Sequence, residues 1–241
     1  MVNKILGVSK HCLVLSEINP SGCVMEIEDQ AYSWFKILNE NDNGRFKNYS
    51  YTDKIRTVKD LLDNNNIKLI IRDWTTCNFL NTEKPFERYV TMELEQKLYL
   101  EHVGIQHDSI VVTRKGINVW NSIRRTFANM ADLSLEEFSE AYLQYSLRVK
   151  DFRKIKLEDI QENPKSNIVK LYEMLGIPEC DVENVENDFF KYNYCTGNNK
   201  LNTPQSSSTA KIIEKSSNYN NNIFQSNEIL KEADYLLGYE C

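Results

Sequence analysis

Residues 110–122, IVVTRKGINVWNS, constrain the chain more than any other stretch. Ile110, Val111 and Val112 form a short β-branched run, the mark of a strand covered on both faces. Gly116 permits a tight turn, and Asn118, Trp120 and Ser122 then continue on a helical pattern. A helix N-terminus offers unpaired N–H groups and the positive end of a dipole, so an anion is stabilised there. Arg114 adds a permanently charged planar fork at the junction, and the Ser122 hydroxyl adds a neutral donor. Such a junction suits a phosphate-like group. The competing reading is an arginine that simply closes a strand in solvent.

The rest of the chain repeats the alternation. Apolar runs at Cys12–Leu15, Ile67–Ile71, Ile110–Thr113 and Phe152–Leu157 read as buried strands. Helical spacing covers Tyr32 to Leu38, Ile55 to Leu62, Phe86 to Leu100, Gly116 to Phe127, Leu135 to Leu147 and Pro164 to Leu175. The last has Asn163 as a cap, Pro164 in its first turn and Gly176 at its exit. Ile223 to Leu237 forms a closing amphipathic helix. The expected fold is therefore α/β, a parallel sheet with helices on both faces, in one domain spanning residues 1–241. Ligands of such sheets bind outside the carboxyl ends of the strands. Glu17, Arg72 with Asp73, Arg114 and Glu158 all stand at those ends, which makes a cleft there plausible. The Asn- and Ser-rich residues 193–222 read as a long loop or lid.

Composition excludes several classes. A net charge of −6 argues against wholesale nucleic-acid binding, although local basic clusters leave room for a small anionic ligand. Six scattered cysteines without a C-x-x-C pair, and three histidines, give no metal-ligand spacing. With no signal peptide and no apolar run long enough for a bilayer, the expectation is a cytoplasmic protein with no membrane partner. Oligomeric state is not legible.

Several segments together resemble the sulfotransferases that use 3′-phosphoadenosine 5′-phosphosulfate (PAPS). IVVTRKGINVWNS looks like their 3′-phosphate-binding strand-turn-helix, with Arg114 and Ser122 at the family's spacing. IKLEDIQENPKSNIVKLYEMLGIP, KLIIRDWTTCNFL, CLVLSEINP and the terminal LLGYEC resemble further family segments in the expected order. The resemblance implies a P-loop-NTPase-like sheet flanked by helices. It also implies sulfuryl transfer from PAPS, as co-substrate without a metal, to a hydroxyl or amine of a small-molecule or carbohydrate acceptor. One departure stands out. The family's first strand and its Arg-Ser-Gly-Thr-Thr-type loop, which cradles the 5′-phosphosulfate, are missing, and MVNKILGVSKHCLVLSE resembles the body of the first helix. Truncation of an active enzyme is the expectation; the alternative is a degenerate, non-catalytic nucleotide-binding module. A nucleotide kinase is disfavoured, because no Walker-type lysine loop is present.

Sulfuryl transfer resembles phosphoryl transfer, so it needs positioning, electrostatic stabilisation and a base for the acceptor proton. In carbohydrate- and tyrosyl-type members a glutamate in this region is the base, which makes Glu17 the candidate and Asp73 the second. Either is equally read as a carboxylate paired at the sheet edge. His102 and His107 fall in a connecting loop and read as surface residues. Trp74 and Trp120 suit adenine stacking or the core. Leu157 stands where many members have an aromatic residue, so it takes no role. Lys200 matches the position of the family segment that covers the 3′-phosphate.

Overall fold

A computed structural model of the protein describes residues 1–73, 75–80, 94–178, 182–189, 191–195 and 227–240. The chain is a mixed α/β structure that clusters into two compact units. One comprises Met1–Trp74, Glu95–His107 and Ile168–Ser207, the other Thr75–Leu94, Asp108–Asn167 and Ser208–Cys241.

The first unit begins with α1 (Val2–Gly7), β1 (Cys12–Asn19), β2 (Gly22–Cys23) and α2 (Ile27–Asp29), which runs on as a π turn, Gln30–Trp34. It continues through α3 (Glu40–Phe46), α4 (Tyr51–Asp63), β3 (Lys68–Asp73) and α5 (Glu95–His102). β1 lies parallel to β3, from Cys12 opposite Lys68 to Ile18 opposite Asp73, with a shift of register between Ser16 and Ile18. β2 pairs antiparallel with the end of β1 through a Pro20–Ser21 turn, where the Ser21 N–H donates to Asn19 Oδ1 at 2.9 Å. α4 starts where the Ser50 hydroxyl accepts the Asp53 N–H, and its Ile55, Val58 and Leu62 stripe is buried. That stripe packs with Leu15, Ile18 and Phe46 in one apolar cluster. The helix expected over Tyr32–Leu38 is instead the π turn followed by non-helical chain. Gln30 is tied by its side chain to β1, and Lys36 takes φ +54°, which ends helical geometry.

The second unit is built on β4 (Ile110–Thr113), α6 (Gly116–Thr126), α7 (Leu135–Val149), β5 (Arg153–Lys156) and α8 (Leu157–Glu162). α9 (Pro164–Leu175) then leads back into the first unit, which from Ile168 onward also holds α10 (Val182–Asp188), and α11 (Glu228–Leu236) of the second unit is the last helix described. β4 and β5 are parallel, with Ile110 opposite Arg153 and Thr113 opposite Lys156. A capping box between Ser134 and Glu137 opens α7. Its Phe138, Tyr142 and Tyr145 join Phe79, Met130, Leu230, Ala233 and Leu237 in the core of this unit. Phe138 and Tyr142 stack at 5.0 Å between ring centroids.

All four expected strands are present, but as two parallel pairs in two sheets, β2-β1-β3 and β4-β5, rather than side by side in one. Partner choice is non-local, and four similar β-branched runs carry no local code for it. The strand expected to be covered on both faces, β4, buries Val111 and Thr113 but leaves Val112 36% exposed. β1 is the strand buried along nearly its whole length. α5 takes up the end of the helix expected from Phe86 to Leu100, and α11 most of that from Ile223 to Leu237. Residues 81–93, 196–226, Trp74 and Lys200 lie outside the described residues.

Candidate functional site

The carboxyl end of β1 carries the first cluster. Glu17 does not follow the strand, as its sequence suggested, but sits inside it, at the register shift, with φ +52°. A non-glycine residue in that left-handed region is strained and persists only where its surroundings hold it. Two contacts do so. In a parallel pair Ser16 turns its N–H and C=O away from β3, so these groups need a partner on the other edge. The buried Gln30 amide supplies it: Oε1 accepts the Ser16 N–H at 2.7 Å and Nε2 donates to the Ser16 carbonyl at 2.9 Å. One glutamine side chain thus stands in for a neighbouring strand. The same Nε2 donates to the Met25 carbonyl at 2.8 Å, and Asn3 donates to the Ser16 hydroxyl at 2.7 Å.

Beyond the bulge, the Glu17 carboxylate meets Arg72 Nη2 at 2.8 Å, and Asp73 Oδ1 accepts from Asn19 at 2.9 Å. Glu17 and Asp73, the two expected base candidates, therefore share one strand edge. Each is held by a neighbour on the adjoining strand. Tyr51 closes the cluster from α4: its hydroxyl donates to Gln96 Oε1, and burial with the nearby Asp73 charge pushes its phenol well up. His107 faces Glu101 at 4.0 Å.

The second cluster is the β4–α6 junction. Arg114 lies between strand and helix, half-buried, and its carbonyl accepts the Tyr142 hydroxyl at 3.0 Å, which pins the end of β4 to α7. Ser122 is half-buried in the second turn of α6. Two of the N–H groups expected to await an anion already have acidic partners. The Gly116 N–H donates to Asp234 Oδ1 at 2.7 Å, and the Lys115 N–H to Glu158 Oε1 at 3.3 Å. The acceptors at this helix N-terminus are thus carboxyl oxygens of the chain itself. Glu158 also accepts the Tyr239 hydroxyl at 2.6 Å. Trp120 packs against the core, donates to the Leu133 carbonyl at 3.0 Å and carries the Arg124 guanidinium 4.7 Å above its ring. That face is thus taken by a cation rather than left for an adenine.

Gln30 and Asp234 carry no motif, and sequence reasoning passed over both. Asp234 did leave a signal, because it interrupts the apolar stripe Leu230, Ala233, Leu237 of α11. An acid on a buried stripe implies a specific partner.

Among the described residues no cluster of acidic, histidine or cysteine groups is arranged to hold a metal ion, and no helix is long and apolar enough to cross a membrane. No protein-family model, curated protein or solved structure matches the chain.

Proposed function

We propose that the chain is a sulfotransferase-type protein with a P-loop-NTPase-like fold, acting on a small-molecule or carbohydrate acceptor with PAPS as donor. The observation that carries the reading is the β4–α6 junction, where Arg114 follows a parallel strand that ends at Thr113 and a helix begins at Gly116. Arg114 and Ser122 hold the donor's 3′-phosphate through side chains, since the first backbone N–H groups are engaged by Glu158 and Asp234. In the reaction the acceptor oxygen attacks sulfur in line, the bond from sulfur to the 5′-phosphate oxygen breaks, and adenosine 3′,5′-bisphosphate leaves. Glu17 is proposed as the base for the acceptor proton from the sequence resemblance alone, with Arg72 beside its carboxylate and Asp73 the second candidate. Lys200 is proposed as a further contact to the 3′-phosphate, from sequence position alone.

Calorimetry with adenosine 3′,5′-bisphosphate tests the assignment. Arg114→Ala should weaken binding by about 2–5 kcal/mol if the contact is a buried charge pair. Equal affinity in the variant removes Arg114 from the site. A second reading, a non-catalytic nucleotide-binding module, is favoured by the two carboxylates that already satisfy the junction's N–H groups. Bisphosphate binding without any sulfate transfer to a panel of hydroxyl and amine acceptors selects that reading. Absence of bisphosphate binding refutes both.

A further inference from the structure

Asp234 is 2% exposed, yet only one of its two oxygens has a partner. Oδ1 accepts the Gly116 N–H at 2.7 Å, while Oδ2 is buried without a hydrogen bond. Its helix is seated closely. Leu230, Ala233 and Leu237 are buried, and Leu230 fills the space where any side chain on Gly116 would stand. After α11 the chain turns at Gly238, φ +91°, and brings the Tyr239 hydroxyl onto Glu158, the acid that holds the Lys115 N–H. The end of the chain therefore grips the junction at two successive N–H groups, once directly and once through Glu158.

We propose that α11 is a proton-linked latch on the β4–α6 junction: protonated Asp234 keeps it seated, and ionised Asp234 loosens it and frees the Gly116 N–H. The physical reason is the unpartnered oxygen. A neutral carboxyl leaves a modest polar group unsatisfied in the core, whereas a carboxylate leaves part of a full charge there, and a charge is far costlier to bury. Once α11 lifts, water hydrates the carboxylate and that cost vanishes. Every element packed round Asp234 bears on the balance. Lys115 at the head of α6 favours the ion, and so does the Gly116 bond. Glu158 of α8 opposes it, and Tyr142 of α7 and Tyr239 of the tail, both pushed up by burial, remain neutral phenols. Burial prevails, raising the Asp234 carboxyl from 3.8 to about 6. Because the seated state binds the proton more tightly than the open one, the stabilising contribution is complete below 3.8. It is lost as pH rises through about 6. The opening constant should grow roughly hundredfold across that window. The latch stands whether or not the junction binds a nucleotide.

Two measurements on the full chain decide it. Carbon-13 NMR of the side-chain carboxyls should show Asp234 titrating near 6, and a midpoint near 4 overturns the proposal. Hydrogen exchange at the Gly116 amide, corrected for intrinsic rate, should accelerate roughly hundredfold from pH 4 to pH 8 in the unaltered chain. It should be flat in Asp234→Asn, with Val58 in the other unit as the control amide. A pH-independent opening in the unaltered chain, or the same slope in the variant, refutes the latch. If the variant does not fold, the carboxyl titration alone still decides.

Discussion

Replacing Gln30 by Met is the sharpest test of how the Glu17 edge is built. Methionine has similar length and an equally good helix propensity, so the change isolates the amide. The three hydrogen bonds lost run to the Ser16 N–H, the Ser16 carbonyl and the Met25 carbonyl. Met25 is half-buried, so water can take over there, whereas Ser16 and Gln30 are both fully buried. Two buried backbone groups then stand unpaired, at about 1–3 kcal/mol each. The expected loss is about 3–5 kcal/mol, a large part of a stability of the order of 5–15 kcal/mol. Urea unfolding with an unchanged m-value measures it, and hydrogen exchange at the Ser16 amide should locate the damage. A loss below about 1 kcal/mol would mean that the glutamine does not act as a strand substitute. The account of why Glu17 sits in a bulge would then fall with it.

The bulge and the junction each make a further prediction. Glu17→Ala and Glu17→Gly both remove the ion pair with Arg72, but only glycine relaxes the positive φ, so the glycine variant should be the more stable by about 1 kcal/mol in thermal or urea melts. Equal stability, or a more stable alanine variant, would refute the left-handed assignment. Gly116→Ala drives a methyl into Leu230 and against the Tyr142 ring, and should cost about 1–3 kcal/mol of stability. Combining it with Leu230→Ala should cost less than the sum of the single changes, a coupling that a double-mutant cycle reads directly.

How much of this was legible beforehand follows from the range of each signal. Strands β1, β3, β4 and β5 announce themselves by short β-branched runs, and α9 begins at its proline and ends before Gly176, as its capping residues required. These are local signals, read within a few residues. Which strand lies beside which is not local, and the two separate parallel pairs could not be told from one sheet of four. The same holds for Tyr32–Leu38. Its apolar spacing suits a helix, but Gln30 is bound 14 residues away at Ser16, and that tether leaves only a π turn.

The junction shows the limit most plainly. From Ile110 to Ser122 the sequence specifies a place where an acidic group is held, and the structure has two carboxyl groups there. What local reading could not supply is the source, a carboxylate 118 residues downstream. A helix N-terminus attracts an anion without regard to whether it arrives as a ligand or on a side chain. What separates the two lies on the other helix, where an acid stands in a stripe that should be wholly apolar. Motif and stripe are the two halves of one contact, the Gly116 N–H on Asp234. The strength of an anion motif therefore depends on whether the remaining helices carry an unexplained buried acid, and in this chain one of them does.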